Sequence, residues 1–287
     1  MKRCSIIRRI AKEVAGEELA ARIWKRIDIV GDIAVIKAPP YVSLNVLRNI
    51  ASRLIEQLPY IKSVWLASSP VEGPYRVRES LTHLAGERRT ETIYKEHGCR
   101  FKVDIAKVFI TPRLNYEHAR IAKLVGEGEV IVNMFAGAGL FSIIIACKAR
   151  PKKVYSIDIN PHAYRLMVEN VALNKVNAIV EPILGDAAKV IEESLSNTAD
   201  RVLMPLPELA LDYLPYALKA LSNGRGWLHV YLHIKYAKGE NPLEIARAQL
   251  SARLDELGVD TYRFNLARRV RKVGPRTDQV VLDVLVG

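Results

Sequence analysis

Two glycines and two carboxylates carry the clearest chemistry in this chain of 287 residues. An apolar run ends in NMFAGAGLFS, which sets Gly137 and Gly139 at the carboxyl end of a strand. Residues without a Cβ allow a tight turn there and let a ligand approach the main chain closely. Asp158 ends the next strand-like run, 21 residues after Gly137, and a carboxylate at that place accepts from both hydroxyls of a ribose. Asp186, in the GDA that closes a third run, is placed to accept from an adenine amino group, with Ala187 beside it. Either acid alone reads as a helix cap or turn residue. At successive strand ends behind a glycine loop, the two together point to a bound nucleoside. The loop lacks the Lys-Ser/Thr pair of a P-loop, and Ser142 stands where a dinucleotide fingerprint has its third glycine. A nucleoside cofactor without phosphates satisfies this set, and S-adenosylmethionine (SAM) fits it better than NAD.

The other reactive residue types exclude more than they offer. Cys4, Cys99 and Cys147 are far apart and odd in number, giving neither a disulfide framework nor a metal-ligand spacing. No cysteine follows Cys147, which argues against methylation of a pyrimidine carbon through a cysteine adduct. His229 and His233 in HVYLHIK stand at i and i+4 of a strand-like run and read as structural; no metal is expected. The run ADRVLMPLP ends in Pro205, Leu206 and Pro207. These offer a planar substrate no polar side chain, and Pro205 has no N–H. They are expected to form a rigid wall with main-chain carbonyls facing the substrate. Glu208 stands where enzymes that methylate exocyclic amines place a stacking aromatic ring.

Periodicity supplies two frames for these residues. Residues 5–27 read as a helix, DIVGDIAVIKAP as a hairpin, SLNVLRNIASRLIEQL as an amphipathic helix capped by Ser43, and IKSVWLAS as a strand. SSPVEGPYRVRES is turn-rich, and ETIYKEHGCRFKVDIAKVFI reads as two strands broken at His97-Gly98. The second half alternates strands with helices, one of them expected from about Leu209 to Leu221. It closes with two strands and no helix between them. Such alternation implies an α/β fold with a mainly parallel, Rossmann-like sheet and an antiparallel last strand, behind a small α/β module. The domains are expected at 1–105 and 106–287.

Net charge is +12 and the pI about 9.6, a balance that favours a polyanionic partner over a merely basic, heat-adapted surface. No apolar run is long enough for a membrane span, and the basic N-terminus lacks a signal-peptide core. A cytoplasmic monomer is expected.

HLAGERRTETIYKEHGCRFKVDIAKVFITPRLNYEHARIAKLV, then VIVNMFAGAGLFSI and VYSIDINPHAYRLMVENVALNKV, resemble the Trm5-like tRNA (guanine-N1)-methyltransferases of archaea and eukaryotes. The resemblance covers roughly residues 28–287. It implies a class I SAM-dependent methyltransferase that modifies N1 of guanosine 37, with the tRNA anticodon stem-loop as partner. Related enzymes of wyosine biosynthesis share the scaffold, so methylation of carbon 7 of 4-demethylwyosine, alone or in addition, is the alternative. Aminocarboxypropyl transfer ranks lower, because those enzymes differ where this chain has TPRLNYEH. A SAM- and tRNA-binding module with little activity is the remaining possibility.

By the same resemblance, Phe109 and Arg113 line the cleft and Glu117 accepts the proton that leaves N1. Phe135, Ala136, Gly137 and Gly139 cradle the methionine part, Asp158, Ile159 and Asn160 hold the ribose, and Asp186 and Ala187 hold the adenine. Pro205 borders both cofactor and base. Arg76, with Arg78 as the competing choice, steadies guanine O6. A carboxylate near N1 and a cation near O6 are what removal of that proton needs. Read without the family, Glu117 is a helix-surface ion pair with Arg113 or Arg120. Two departures stand out. The family's additional N-terminal domain is expected to be absent, and its Asn-Leu-Pro is Pro205-Leu206-Pro207 here. Arg268, Arg269, Arg271 and Lys272 in RRVRKVGPR are expected either to meet tRNA phosphates or to form a solvated edge protected by charge.

Overall fold

The computed structural model describes residues 5–23, 27–68 and 80–287. The chain divides into two compact units between Pro112 and Arg113.

In the first unit, helices α1 (Ile6–Arg22) and α2 (Leu44–Gln57) share a core with a four-stranded sheet. Its strands β1 (Ile27–Val30), β2 (Ile33–Ile36), β3 (Ser63–Ala67) and β4 (Leu81–Gly86) lie in sequence order. A separate hairpin, β5 (Glu91–Glu96) and β6 (Cys99–Asp104), turns at His97 and Gly98, both with positive φ. Ser43 caps α2, its Oγ accepting from the Val46 N–H at 3.4 Å. Two expectations change here. The first helix ends at Arg22 and is kinked at Gly16, whose φ of 84° lies in the left-handed region. Strand β4 was not legible because only Leu84 of its six residues is buried, so no alternation marks it.

The second unit contains α3 (Asn115–Leu124), β7 (Val130–Asn133), α4 (Leu140–Lys148), β8 (Lys153–Asp158), α5 (Pro161–Leu173), β9 (Val180–Leu184) and the single turn α6 (Ala187–Val190). It continues with β10 (Arg201–Met204), α7 (Leu214–Ala220), β11 (Gly226–Lys235), α8 (Pro242–Glu256), β12 (Tyr262–Gly274) and β13 (Thr277–Val286). The seven strands form one sheet in the order β12-β13-β11-β10-β7-β8-β9. Strands β7 to β11 pair in parallel, and β13 slots antiparallel between β11 and β12. One face buries Val202, Met204, Leu228, Val230, Leu282 and Val284 with Leu250 and Leu254 of α8. The helix expected from Leu209 begins only at Leu214. Pro215 has no N–H to give and is tolerated only in a first turn, so residues before it form turns.

Candidate active site

The carboxyl ends of β7, β8, β9 and β10 open on one edge of the sheet, the usual place for a ligand in such folds. The loop after β7 is held by buried polar clamps. Asn133 Nδ2 donates to Ser142 Oγ at 3.1 Å, Ser156 Oγ donates to the same oxygen at 2.7 Å, and Asn170 Nδ2 donates to the Ala138 carbonyl at 3.0 Å. Ser142 therefore ties the first turn of α4 to β7 and β8, where a dinucleotide fold would have glycine. Gly139 has φ of 90°, and a Cβ there would meet Ile143 and Met167 at 3.0 Å. Gly137 also has positive φ, but a Cβ on it would meet nothing within 4 Å. Gly139 lets the turn close, and Gly137 lines open space.

Asp158 spans that loop. Its Oδ2 accepts from the Gly137 N–H at 2.6 Å and its Oδ1 from the Asn160 N–H at 2.9 Å. Burial raises its carboxyl above the ordinary range, against the pull of those two N–H donors. Each oxygen keeps a second lone pair for a ribose hydroxyl. Ile159 is 45% exposed beside it, an apolar surface for a purine face. Asn160 caps α5, accepting from the His162 N–H at 2.9 Å. Asp186 is more committed than expected. It caps α6 through the Ala188 and Lys189 N–H groups and accepts from the Tyr213 hydroxyl at 2.5 Å. Tyr213 also packs edge-on to Phe135, with ring centroids 5.2 Å apart. Ala136 donates its N–H to the Ile157 carbonyl at 2.8 Å, and Ala187 is buried. Open space at Gly137, an acid with free lone pairs and an exposed apolar side chain fit the methionine, ribose and adenine parts of SAM.

The other half of the site is a line of buried charges under α3. Glu117 is 1% exposed. Its Oε2 accepts from Arg120 Nε at 3.0 Å and from the Tyr231 hydroxyl at 3.0 Å, and its Oε1 pairs with Arg268. Arg120 also grips Asp283 with both terminal nitrogens. Asp283 faces His229 Nδ1 at 2.6 Å, and His229 Nε2 faces Arg201 Nη1 at 2.6 Å. Arg201 closes the line with two bonds to Glu129, at 2.7 and 2.9 Å. An arginine can only donate, so His229 Nε2 accepts and Nδ1 carries the hydrogen given to Asp283. Burial lowers the His229 imidazole, outweighing Asp283 and consistent with a neutral ring. Burial pushes Asp283 up, but His229 and Arg120 outweigh it and hold the carboxyl at about 2. Burial pushes the Tyr231 phenol up, so it donates.

The expected site residues therefore separate. Gly137, Gly139, Asp158, Ile159, Asn160, Asp186 and Ala187 lie at successive strand ends, with Pro205, Leu206 and Pro207 half-buried after β10. Arg113 is exposed, and Glu117 pairs with Arg120 and Arg268. Phe109 belongs to the first unit; Arg76 and Arg78 lie outside the described residues. Of the basic run, Lys272 and Arg276 are exposed and meet no side-chain partner among the described residues. Arg268 is turned in to Glu117, Arg269 pairs with Asp278 at 3.3 Å, and Arg271 donates to Gln279 at 2.6 Å. The edge strand's charges are partly internal because β13 brings acids and an amide beside them. Sequence reading named Arg120 as a partner for Glu117 and took His229 as structural, but it missed Tyr231, Asp283 and Arg201. The spacing of His229 and Tyr231 on one face of a strand was the single hint.

A seven-stranded sheet with an antiparallel strand inserted next to its edge, and a glycine-turn and acid site at its strand ends, defines a class I SAM-dependent methyltransferase. The model for the TRM5/TYW2 methyltransferase domain matches residues 92–252, and that for the TYW2 N-terminal domain matches residues 7–90. The chain belongs to the TRM5/TYW2 family of SAM-dependent, tRNA position-37-modifying enzymes. It is 44% identical to tRNA 4-demethylwyosine(37)-methyltransferase Taw21 of Saccharolobus solfataricus over 263 residues, covering 91% of this chain and 94% of that protein. It is 42% identical to tRNA (guanine(37)-N(1))-methyltransferase Trm5b of Pyrococcus abyssi over 215 residues, covering 75% of this chain and 62% of that protein. Among solved structures, the complex of aTrm5 and tRNALeu superposes with a TM-score of 0.83 at 36% identity, covering all of this chain and 79% of that one. M. jannaschii TYW2 in complex with AdoMet superposes with a TM-score of 0.65 at 28% identity, over 91% of this chain and 98% of that one. Among the described residues no helix is long and apolar enough to cross a membrane.

Proposed function

We propose that this protein transfers a methyl group from SAM to carbon 7 of 4-demethylwyosine at position 37 of tRNA, working as a monomer on the anticodon stem-loop. The observation that carries this reading is the extent of the Taw21 likeness, which runs through both units and nearly the whole of that relative. The expectation of guanosine N1 as the main acceptor gives way to it, since the Trm5b sequence match covers 75% of this chain and 62% of that protein against 91% and 94% for Taw21.

The wall after β10 supports the same choice. Guanine N1 carries a proton, and the guanosine enzymes resembled here place an amide side chain where Pro205 stands. In the tricyclic base N1 is closed into a ring and has no proton to hold. A half-buried Pro205-Leu206-Pro207 suits a planar acceptor that reacts at carbon. Bound SAM supplies an electrophilic methyl group on a sulfonium. Carbon 7 gains that methyl as the sulfur–carbon bond breaks, and it must then lose its hydrogen as a proton. Glu117 is the residue to accept it, and Tyr231 and Arg120 fix its orientation. Methylation of guanosine N1 is the second reading, favoured by the Trm5b likeness; the same carboxylate would take the N1 proton.

Incubation with SAM and tRNA bearing either guanosine or 4-demethylwyosine at position 37, followed by mass spectrometry of the nucleosides, tests both. A 7-methylated tricyclic base is expected. 1-Methylguanosine alone would transfer the assignment to the second reading, and no methylated nucleoside would overturn both.

A further inference from the structure

Glu117 lies between two guanidinium groups of unequal freedom. The inner one, Arg120, has an 11% exposed side chain and is fixed by its fork on Asp283. The outer one, Arg268, has a 32% exposed side chain and projects from the edge strand β12. Its carbon Cζ lies 4.3 Å from the centroid of the Tyr116 ring, and Tyr116 is itself 62% exposed. Arg268 Nε is buried yet meets no hydrogen-bond acceptor among the described residues, a costly state for a charged donor.

The cluster of Glu117, Asp283, Arg120 and Arg268 is neutral as it stands, with two carboxylates against two guanidinium groups. A carboxylate held by two cations and a phenol is a poor proton acceptor; withdrawing one cation leaves net negative charge at Glu117. Arg120 cannot be the one to leave, because its departure would also take the guanidinium from Asp283 and leave that buried carboxylate with the neutral His229. Strand register shows where Arg268 could go. It lies across Val281 from Tyr231, and Arg271 lies across Gln279 from His233. The basic run therefore climbs β12 toward the edge where the parallel strands end. Lys272 and Arg276 are exposed farther along the same hairpin, ready to draw a polyanion to that edge.

We infer that Arg268 is a tRNA-responsive counter-ion: it pairs with Glu117 in the free protein and exchanges that carboxylate for a tRNA phosphate when substrate arrives. Arg268 is thus a positioning residue that exposes the proton acceptor only when tRNA is bound. Arg120 and Tyr231 also hold Glu117, with Asp283 and His229 behind them, and they stay in place through the exchange. The inference rests on tRNA being the substrate and on Glu117 being the proton acceptor.

The test is tRNA binding by the full chain across a salt series, with wild type, Arg268→Gln, Arg268→Lys, Glu117→Gln and the double glutamine variant. Arg268→Gln should lower the slope of log affinity against log salt by about 1, while Arg268→Lys retains it. Glu117→Gln, which removes the competing carboxylate, should bind tRNA about fivefold more tightly at fixed salt, and the gain should vanish in the double variant. A merely structural Arg268 would not produce tighter binding. An unchanged slope in Arg268→Gln, or no tightening in Glu117→Gln, overturns the inference; if Glu117→Gln does not fold, the slope decides alone. Product identity is read separately, so methylation with an unchanged slope rejects the counter-ion role alone, whereas no methylated nucleoside rejects the functional reading.

Discussion

The two halves of the catalytic sheet are built by different means. The cofactor half, β7 to β9, uses short-range devices: a glycine turn, two acids at strand ends, and helix caps within two or three residues of the side chains that make them. The acceptor half, β10 to β13, uses a line of buried charges joined over long stretches of chain. Glu117 and Tyr231 are 114 residues apart, and Arg120 and Asp283 are 163 apart. Local devices hold a ligand that is chemically the same in every such enzyme. A buried charge line instead fixes Glu117, the proton acceptor proposed above, and makes its position depend on the integrity of the whole sheet.

If the halves are separable in this way, damage should be separable too. The largest expected effect is on Glu117→Gln, whose turnover should fall by roughly 10²–10⁴-fold while SAM affinity stays at the wild-type value. Single-turnover kinetics with isothermal titration of SAM would show it, and a parallel loss of SAM affinity would break the division. Next, Asp283→Ala should cost the fold about 3 kcal/mol, because it takes a carboxylate partner from the buried Arg120 and His229 and leaves the cluster with excess positive charge. Asp158→Ala should instead weaken SAM binding with little change in denaturant midpoint. Chemical unfolding and SAM titration of both variants set the halves side by side.

A smaller effect follows from pH. Asp283 sits at about 2 in the folded chain against an ordinary 3.8. Its contribution is present above pH of about 4 and is lost as pH falls toward 2. His229 is lowered from 6.5 by burial, so the unfolded chain takes up its proton first, and stability also declines as pH falls below about 6.5. Melting temperature should therefore fall on acidification in two stages, and His229→Gln should flatten the upper one. A melting temperature that rises between pH 7 and 5 would contradict the neutral His229 in the charge line. The smallest effect is expected from Pro205→Asn, which should raise guanosine N1 methylation about tenfold relative to the tricyclic acceptor without altering stability. An unchanged product ratio would remove Pro205 from substrate choice.

The same contrast explains what was legible in the sequence. The glycine turn, Asp158 and the alternation of β7 to β11 stand out because each signal is contained in a few neighbouring residues. The charge line gives no such signal. Arg201 begins a strand like any surface arginine, Asp283 looks like an alternation error in VVLDVLV, and Arg268 looks like one of five basic edge residues. Only the insertion of β13 between β11 and β12 brings them into one line. Asp186 shows the limit on the legible side. Its strand-end position was evident, but the Tyr213 hydroxyl that shares its carboxylate comes from 27 residues later, in a turn that the prolines keep out of α7.

The most direct test of the central claim is a competition in one reaction, with equal amounts of tRNA bearing guanosine 37 and tRNA bearing 4-demethylwyosine 37, limiting SAM, and nucleosides counted by mass spectrometry at early times. The account predicts that the 7-methylated tricyclic base accumulates first. Accumulation of 1-methylguanosine with the tricyclic base left unmethylated would contradict it.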